Sequence, residues 1–331
     1  MTDGLAYPWH ADTWRRVQQA RRAGRLPHAL LLAGPAGLGK SAFAARLSDA
    51  LVCGQPDPQG DACGSCAACR ASRGGAHPDL HRVTPDEPGK PIRIDAIRAL
   101  SGKSVLAAQD GGYRVFLLAP AEAMNRAAAN ALLKTLEEPT PRSVLILVSS
   151  HPDRLPATIR SRCQRVKFSA PPPGEVEAWL KQRVAPAAVA DLLAISGGMP
   201  LRALQAGEEG WLEEGRRLVG ELTALRQRQI NPLQTVEEWE KRPLTTILDG
   251  LKRCVADLVR LAYGLKDTRI YHPSLCAELQ CVGQDLDLRQ LHRLHDDLLR
   301  LDRDQSHNPN KQMLLEHIAN RWLQITRPGG R

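Results

Sequence analysis

The chain has 331 residues, about twice the length of one ordinary domain, and its 43% apolar and 24% charged residues predict a folded protein of two or three domains. No run approaches the ~18 to 20 uninterrupted apolar residues that span a bilayer, and the beginning of the chain (Trp9, His10, Asp12) lacks the apolar core of a secretory signal, so membrane insertion and export are not expected. Lys and Arg number 45 against 36 Asp and Glu; the resulting +9 is a weak lean toward a polyanionic partner.

Arg15, Arg16, Arg21, Arg22 and Arg25 fall on a predicted helix and read as a solvated basic face. Ala29–Ala33 is a short apolar strand that ends in glycines. Residues 41–52 have helical spacing (Phe43, Leu47, Leu51), 79–84 form a strand, 92–105 a helix and 113–119 a buried strand. An Ala/Leu-rich helix over 125–138 stops at Pro139; Ser143–Ser149 is another buried strand and 165–168 a last short one. Continuous apolar strands between helices predict a parallel sheet covered on both faces, an α/β domain over 1–169. Pro171, Pro172 and Pro173 interrupt this pattern, and everything beyond is helical. A small helical domain is expected over 170–207 and a helical bundle over 208–331, where Leu291, Leu294, Leu298 and Leu301, then Leu314, Ile318 and Trp322, mark core-facing stripes.

Gly34-Pro-Ala-Gly37-Leu-Gly39-Lys40-Ser41 fits G-x-x-x-x-G-K-[ST] and lies between a strand and a helix. Such glycines let backbone N–H groups curl around phosphate oxygens at a helix N-terminus; Lys40 would reach the β- and γ-phosphates of ATP and Ser41 would hold Mg²⁺. Whether nucleotide occupies the loop is left open. Phosphoryl transfer also needs a carboxylate at a neighbouring strand end. The strand through Val115-Phe116-Leu117-Leu118 is followed by Ala119 and Pro120, and Glu122, two residues further on, reads as a solvated acid in the first turn of the next helix. A phosphate loop without its acid predicts binding without efficient hydrolysis.

Four of the 8 cysteines cluster as Cys53-x9-Cys63-x2-Cys66-x2-Cys69, among Gly, Asp and Ser residues that could not bury a core. Four thiolates in a reduced chain suit a closed tetrahedral structural Zn²⁺ site, with an iron–sulfur cluster as the alternative. Cys163, Cys254, Cys276 and Cys281 read as small buried apolar residues. His77 reads as loop packing.

With these residues in view, the chain resembles the clamp loaders of the AAA+ superfamily, and most closely their delta-prime family in bacterial DNA polymerase III. The resemblance rests on Pro27-His28-Ala-Leu-Leu-Leu, the four-cysteine insertion, His77-Pro78-Asp79, Asn130-Ala-Leu-Leu-Lys134-Thr-Leu-Glu137-Glu138-Pro139, Ser161-Arg162-Cys163 and Asn308-Pro309-Asn310-Lys311. It implies an AAA+ α/β P-loop domain with a zinc module over 53–69, a small helical lid and an all-α C-terminal collar. It also implies a cytoplasmic heteropentamer with ATPase subunits and delta that places the sliding clamp on primed DNA during replication. Ala119 and Pro120 stand where the ATPase subunits carry Asp-Glu, and Leu201 stands where they carry a lid arginine, with Arg202 one position late and read as a surface residue. Both departures imply the stator role, not that of a motor. Arg162 would be the arginine finger donated in trans to a neighbouring subunit's nucleotide, and Cys163 a packing residue. Ser149 and Ser150 stand where the family senses the γ-phosphate, a place that strand-capping serines also explain. The rival readings are an active ATPase motor that uses Glu122 and a P-loop small-molecule kinase.

Overall fold

The computed structural model describes residues 6–87, 89–104, 112–264, 270–284, 286–303 and 310–325. The chain divides into two compact units, Met1–Glu175 and Val176–Arg331.

The first unit is built on parallel strands β1 (Ala29–Ala33), β2 (Leu80–Val83), β3 (Arg114–Leu118), β4 (Ser143–Ser149) and β5 (Gln164–Lys167), in the spatial order β2-β3-β4-β1-β5. β1 runs beside β4 from Ala29↔Leu145 to Ala33↔Ser149 and beside β5 from Leu30↔Gln164 to Ala33↔Lys167. The loop that leaves β1 therefore emerges between two other strand ends, where open α/β sheets place their ligands. β1 and β3 are buried at every position, which is why their apolar runs are continuous and not alternating. The helices are α1 (Ala11–Arg22), α2 (Lys40–Val52), α3 (Ala67–Arg73), α4 (Ile94–Ser104), α5 (Arg126–Glu137) and the single turn α6 (Ala157–Arg160). Leu31, Phe116, Leu118, Leu145 and Leu147 share one core with Ile97 and Leu100 of α4 and Leu132 and Leu136 of α5. The Asn125 side chain accepts the Ala128 N–H at 2.8 Å and starts α5.

The runs 29–33 and 143–149 keep their predicted bounds. The strand expected over 165–168 begins one residue earlier. The helix expected over 92–105 begins at Ile94, because Ile92 is drawn into a β-bridge with Met124; Val105 lies outside the described residues. His77 has a definite partner: its Nδ1 accepts the Asp79 N–H at 3.1 Å. Asp79 in turn receives Arg114 Nε and Nη2 at 2.8 and 2.6 Å on Oδ1, with the two side chains only 4% and 6% exposed.

In the second part of the chain α7 (Pro173–Leu180) is followed by α8 (Val189–Ile195), α9 (Pro200–Glu208), α10 (Trp211–Arg226), α11 (Pro232–Glu240), α12 (Leu244–Ala262), α13 (Cys276–Gly283), α14 (Leu288–Arg303) and α15 (Lys311–Ile325). The stripes seen in the sequence are core faces. Leu291, Leu294 and Leu298 meet Leu314, Ile318 and Trp322 in one cluster with Ile247, Leu251 and Leu258 of α12. Trp322 satisfies its buried indole N–H on Leu222 O at 3.1 Å. Lys311 donates to Glu240 O and Arg242 O at 2.6 and 2.7 Å, capping carbonyls at the end of α11 that have no partner within the helix. Asn308 and Pro309 of the same string lie outside the described residues. Cys254 is buried as expected, but Cys276 is half-buried and Cys281 exposed, since α13 turns Leu279 and Val282 to the core. Among the described residues no single helix is long and apolar enough to cross a membrane.

Candidate functional site

The phosphate loop follows β1 and leads into α2, so Gly34, Gly37, Gly39, Lys40 and Ser41 stand together at the C-terminal edge of the sheet. Two glycines are required there. A Cβ on Gly34 would lie 2.1 Å from Phe168 O, and one on Gly39, which has φ +78°, would lie 2.7 Å from the Tyr7 ring. Lys40 is buried and turned onto its own loop, donating to Pro35 O at 2.6 Å and to Ser150 Oγ at 3.1 Å. Burial pushes its pKa down to about 8, opposed by the Glu122 carboxylate, so the ammonium persists at neutral pH. A phosphate oxygen could replace Pro35 O as its partner. Ser41 is exposed at the start of α2.

The N-terminal segment, which the sequence reading passed over, holds this loop from behind. Trp9 Nε1 and His10 Nε2 both donate to Leu38 O, at 3.0 and 2.7 Å. Tyr7 stacks on Trp9 with centroids 5.0 Å apart, and His10 sits edge-on to Phe43 and Phe168. Burial pushes the His10 pKa down to about 4, the bond to Leu38 O opposing and Arg46 reinforcing, so the ring is neutral with its proton on Nε2. The available signal was compositional: two of the chain's 3 Phe residues, in a sequence that is 4% aromatic, meet here.

β3 ends at Leu118, and Ala119–Pro120, a cis peptide, follows where a motor would place its acids. Glu122 corrects the sequence reading. It is not a solvated helix acid: it sits on a separate 3-10 turn, Ala121–Ala123, with its side chain 10% exposed. Its Oε1 accepts the Ser150 and His151 N–H groups at 2.8 and 3.1 Å. Burial would raise its pKa, but the backbone N–H donors outweigh that and hold it below the ordinary value. The β4 terminus supplies these donors from 28 residues away, a pairing no local pattern reveals. Ser149 is fully buried, and Ser150 is the one that meets Lys40. Lys40, Ser150 and Glu122 thus form one connected cluster at the strand ends.

Arg162 follows α6 and stands exposed, ion-paired to Glu137 Oε1 at 2.6 Å and bonded to Thr158 O at 3.1 Å. A surface pair of this kind contributes about 0 to 1 kcal/mol, so it is readily exchanged for a stronger anion. Cys163 is buried in the sheet core and burial pushes its thiol up to about 12, as suits a packing residue. Of the basic run on α1, Arg15 and Arg16 are exposed, Arg21 is half-buried, and Arg22 donates to Pro58 O. That last bond turns one predicted surface cation into an anchor for the cysteine loop.

The four cysteines meet. Their Sγ atoms lie within 4.8 Å of one another, with Cys53–Cys63 at 3.6 Å, Cys63–Cys69 at 3.9 Å and Cys53–Cys66 at 4.0 Å. A tetrahedral Zn²⁺ with Zn–S near 2.3 Å spaces its sulfurs by about 3.8 Å, whereas a disulfide needs about 2.05 Å. The donor set and spacing therefore fit a tetrathiolate metal. Backbone N–H groups point at the sulfurs, Cys63 N to Cys53 Sγ at 3.3 Å and Cys66 N to Cys63 Sγ at 3.4 Å. Donors of this kind, first Ser65 N–H and then Cys66 N–H, draw the Cys63 thiol down to about 6. Arg46 clamps Asp61 with two bonds of 2.5 Å while lying 3.9 Å over Trp14, whose Nε1 donates to Gln59 O at 3.1 Å.

Comparison with known proteins extends over the whole chain. A family profile described as DNA polymerase III, delta subunit, matches residues 9–172, and one described as its C-terminal part matches 209–324. DNA polymerase III subunit delta' of Pseudomonas aeruginosa is 37% identical over 331 residues, 98% of this chain and 99% of that one. The Escherichia coli protein of the same name is 38% identical over 201 residues, 60% of each chain. Among solved structures, a DNA polymerase III gamma subunit-related protein of Thermotoga maritima aligns at 18% identity and TM-score 0.48, covering 94% of this chain and 99% of that one. On its end-to-end similarity to the Pseudomonas protein, the chain belongs to the delta-prime family of DNA polymerase III subunits.

Proposed function

We propose that this chain is the stator of a DNA polymerase III clamp loader, a subunit that helps place the sliding clamp on primed DNA without hydrolysing ATP itself. The observation that carries the reading is the strand edge. An intact phosphate loop faces a β3 end that offers Ala119 and Pro120, and the nearby carboxylate, Glu122, is committed to two backbone N–H groups. A general base must be able to reach an attacking water; Glu122 Oε1 already serves the β4 terminus, and Oε2, which has no hydrogen-bond partner among the described residues, is buried from solvent. Residues 1–169 then form the AAA+ domain, 170–207 the lid and 208–331 the collar that joins ATPase subunits and delta in a cytoplasmic, replisome-associated heteropentamer. Arg162 is the group presented in trans to the neighbour's γ-phosphate. A guanidinium is suited to that task by its planar fork of donors. Cys53, Cys63, Cys66 and Cys69 hold a structural Zn²⁺, which leaves no open position for catalysis.

The purified chain tests the first half of this. Single-turnover assays with ATP and Mg²⁺ are expected to show no hydrolysis above background, and Lys40→Ala is expected to change nothing. Turnover that disappears with Lys40→Ala would identify a motor and overturn the reading.

A further inference from the structure

A second concentration of positive charge lies in the helical unit. A cavity of about 520 Å³ opens between the end of α8, α9, α12 and α14. Its wall carries Arg202, Lys252, Arg253, Arg260, His292 and His295, against one lining carboxylate, Asp249. The charges arise from helix periodicity: on α12 Lys252 and Arg253 lie three and four residues after Asp249 and Arg260 seven after Arg253, and His292 and His295 lie three apart on α14.

Most of these cations have their own partners. Lys252 holds Asp249 at 2.6 Å. Arg260 lies 4.6 Å over the Tyr271 ring and 3.4 Å from Asp257, a fully buried acid also bonded to Tyr271 N, His272 N and His272 Nδ1. Arg253 differs. It is only 8% exposed, its Nε is buried without a hydrogen-bond partner, and its guanidinium lies 4.6 Å over the Trp211 ring. Arg202 shares that indole at 5.5 Å, which brings a second guanidinium to the same place. Burial lowers the Arg253 pKa, Asp249 opposes this and Arg202 adds to it. Burying a guanidinium N–H that is not hydrogen-bonded is costly, and an anionic ligand would offset that cost.

We propose that this cavity is an oxyanion site for the phosphoryl group of a small phosphorylated molecule, bound by Arg253 and Arg202 with Lys252 as a further lining cation. Phosphate oxygens match the forked donors of two guanidinium groups. Ile195, Val259 and Leu299 give the same cavity an apolar wall for the organic part of an ester. The site is separate in sequence from the phosphate loop and rests on none of the readings made for it.

The test uses the full-length chain carrying Lys40→Ala, which silences the phosphate loop, with pyrophosphate and ADP as probes in calorimetry and thermal shift at low salt. Saturable binding is expected, weakened about tenfold or more by Arg253→Met and by Arg202→Gln, while Arg16→Gln, on exposed α1, leaves it unchanged. Tighter binding of ADP than of pyrophosphate assigns the apolar wall to the organic part, and equal binding assigns the site to the phosphoryl group alone. Without probe, Arg253→Met should melt no lower than its parent, because it removes a buried guanidinium whose Nε has no hydrogen-bond partner. Arg202→Gln, at an exposed position, keeps the test interpretable should Arg253→Met fail to fold. Absence of binding in the Lys40→Ala chain, or binding that survives both substitutions in the cavity, would overturn the proposal.

Discussion

Replacing Cys69 by serine is expected to abolish metal binding and to open the loop between residues 53 and 69. Structural zinc contributes on the order of 10 kcal/mol or more to the folding of small cysteine modules. Nothing else in this loop could substitute for it, since the intervening residues are small or polar (Gly, Ala, Asp, Gln, Pro and Ser) and supply no large apolar side chain. The loop would not detach completely. Arg46–Asp61 and the Trp14 bond to Gln59 O hold its middle to α1 and α2. Metal analysis should find one zinc per chain in the parent and close to none in Cys69→Ser, with new protease cleavage confined to 53–69. A colourless metal-bound protein separates zinc from an iron–sulfur cluster. A parent chain that contains no metal and resists protease equally well would refute the assignment.

Asp79→Ala is expected to lower stability by about 3 to 5 kcal/mol, because it strands the Arg114 guanidinium inside the first unit. The contrast within the same unit is informative. Asp95 and Arg98 form a 3.8 Å pair with side chains 84% and 69% exposed, and Asp95→Ala should cost under about 1 kcal/mol. Denaturant titration monitored on the first unit measures both. Asp79→Asn, which keeps an acceptor for Arg114 Nε, should fall between the two. Equal midpoints for Asp79→Ala and Asp95→Ala would mean that the buried pair carries no structural weight. The effect explains why His77-Pro78-Asp79 stands out in the sequence: His77 accepts the Asp79 N–H and so presents that carboxylate to the first residue of β3.

Much of the architecture is legible from residue order because it rests on local chemistry. Continuous apolar runs locate β1 and β4, Asn125 and Pro139 bracket α5, and the 3- and 4-residue spacing of leucines identifies the core faces of α14 and α15. The cysteine cluster is legible for the same reason, since Cys63, Cys66 and Cys69 lie within seven consecutive residues. What escapes the sequence is contact at a distance. Glu122 looks like a solvated acid until the end of β4 is placed beside it, 28 residues away in the chain. The role of Tyr7, Trp9 and His10 behind the phosphate loop needs the loop's carbonyl, Leu38 O, to be turned toward them. The charge on α12 and α14 is visible in the sequence as scattered cations, but only the fold collects it into one cavity.

The strand order also places Arg162 and the phosphate loop on different elements, so their roles can be removed separately. Lys40→Ala alters the loop at the start of α2, whereas Arg162→Ala alters an exposed turn after α6 whose partner, Glu137, is itself on the surface. Loss of that pair should leave folding intact.

The most direct test is therefore the clamp- and DNA-stimulated ATPase of the reconstituted loader with Arg162→Ala in this chain. An arginine finger is worth about 10³ to 10⁵ in rate at a single GTPase site. If, as proposed, Arg162 serves one of several ATPase sites, the expected result is normal assembly and a several-fold fall in total turnover. Normal assembly with unchanged turnover would contradict the account.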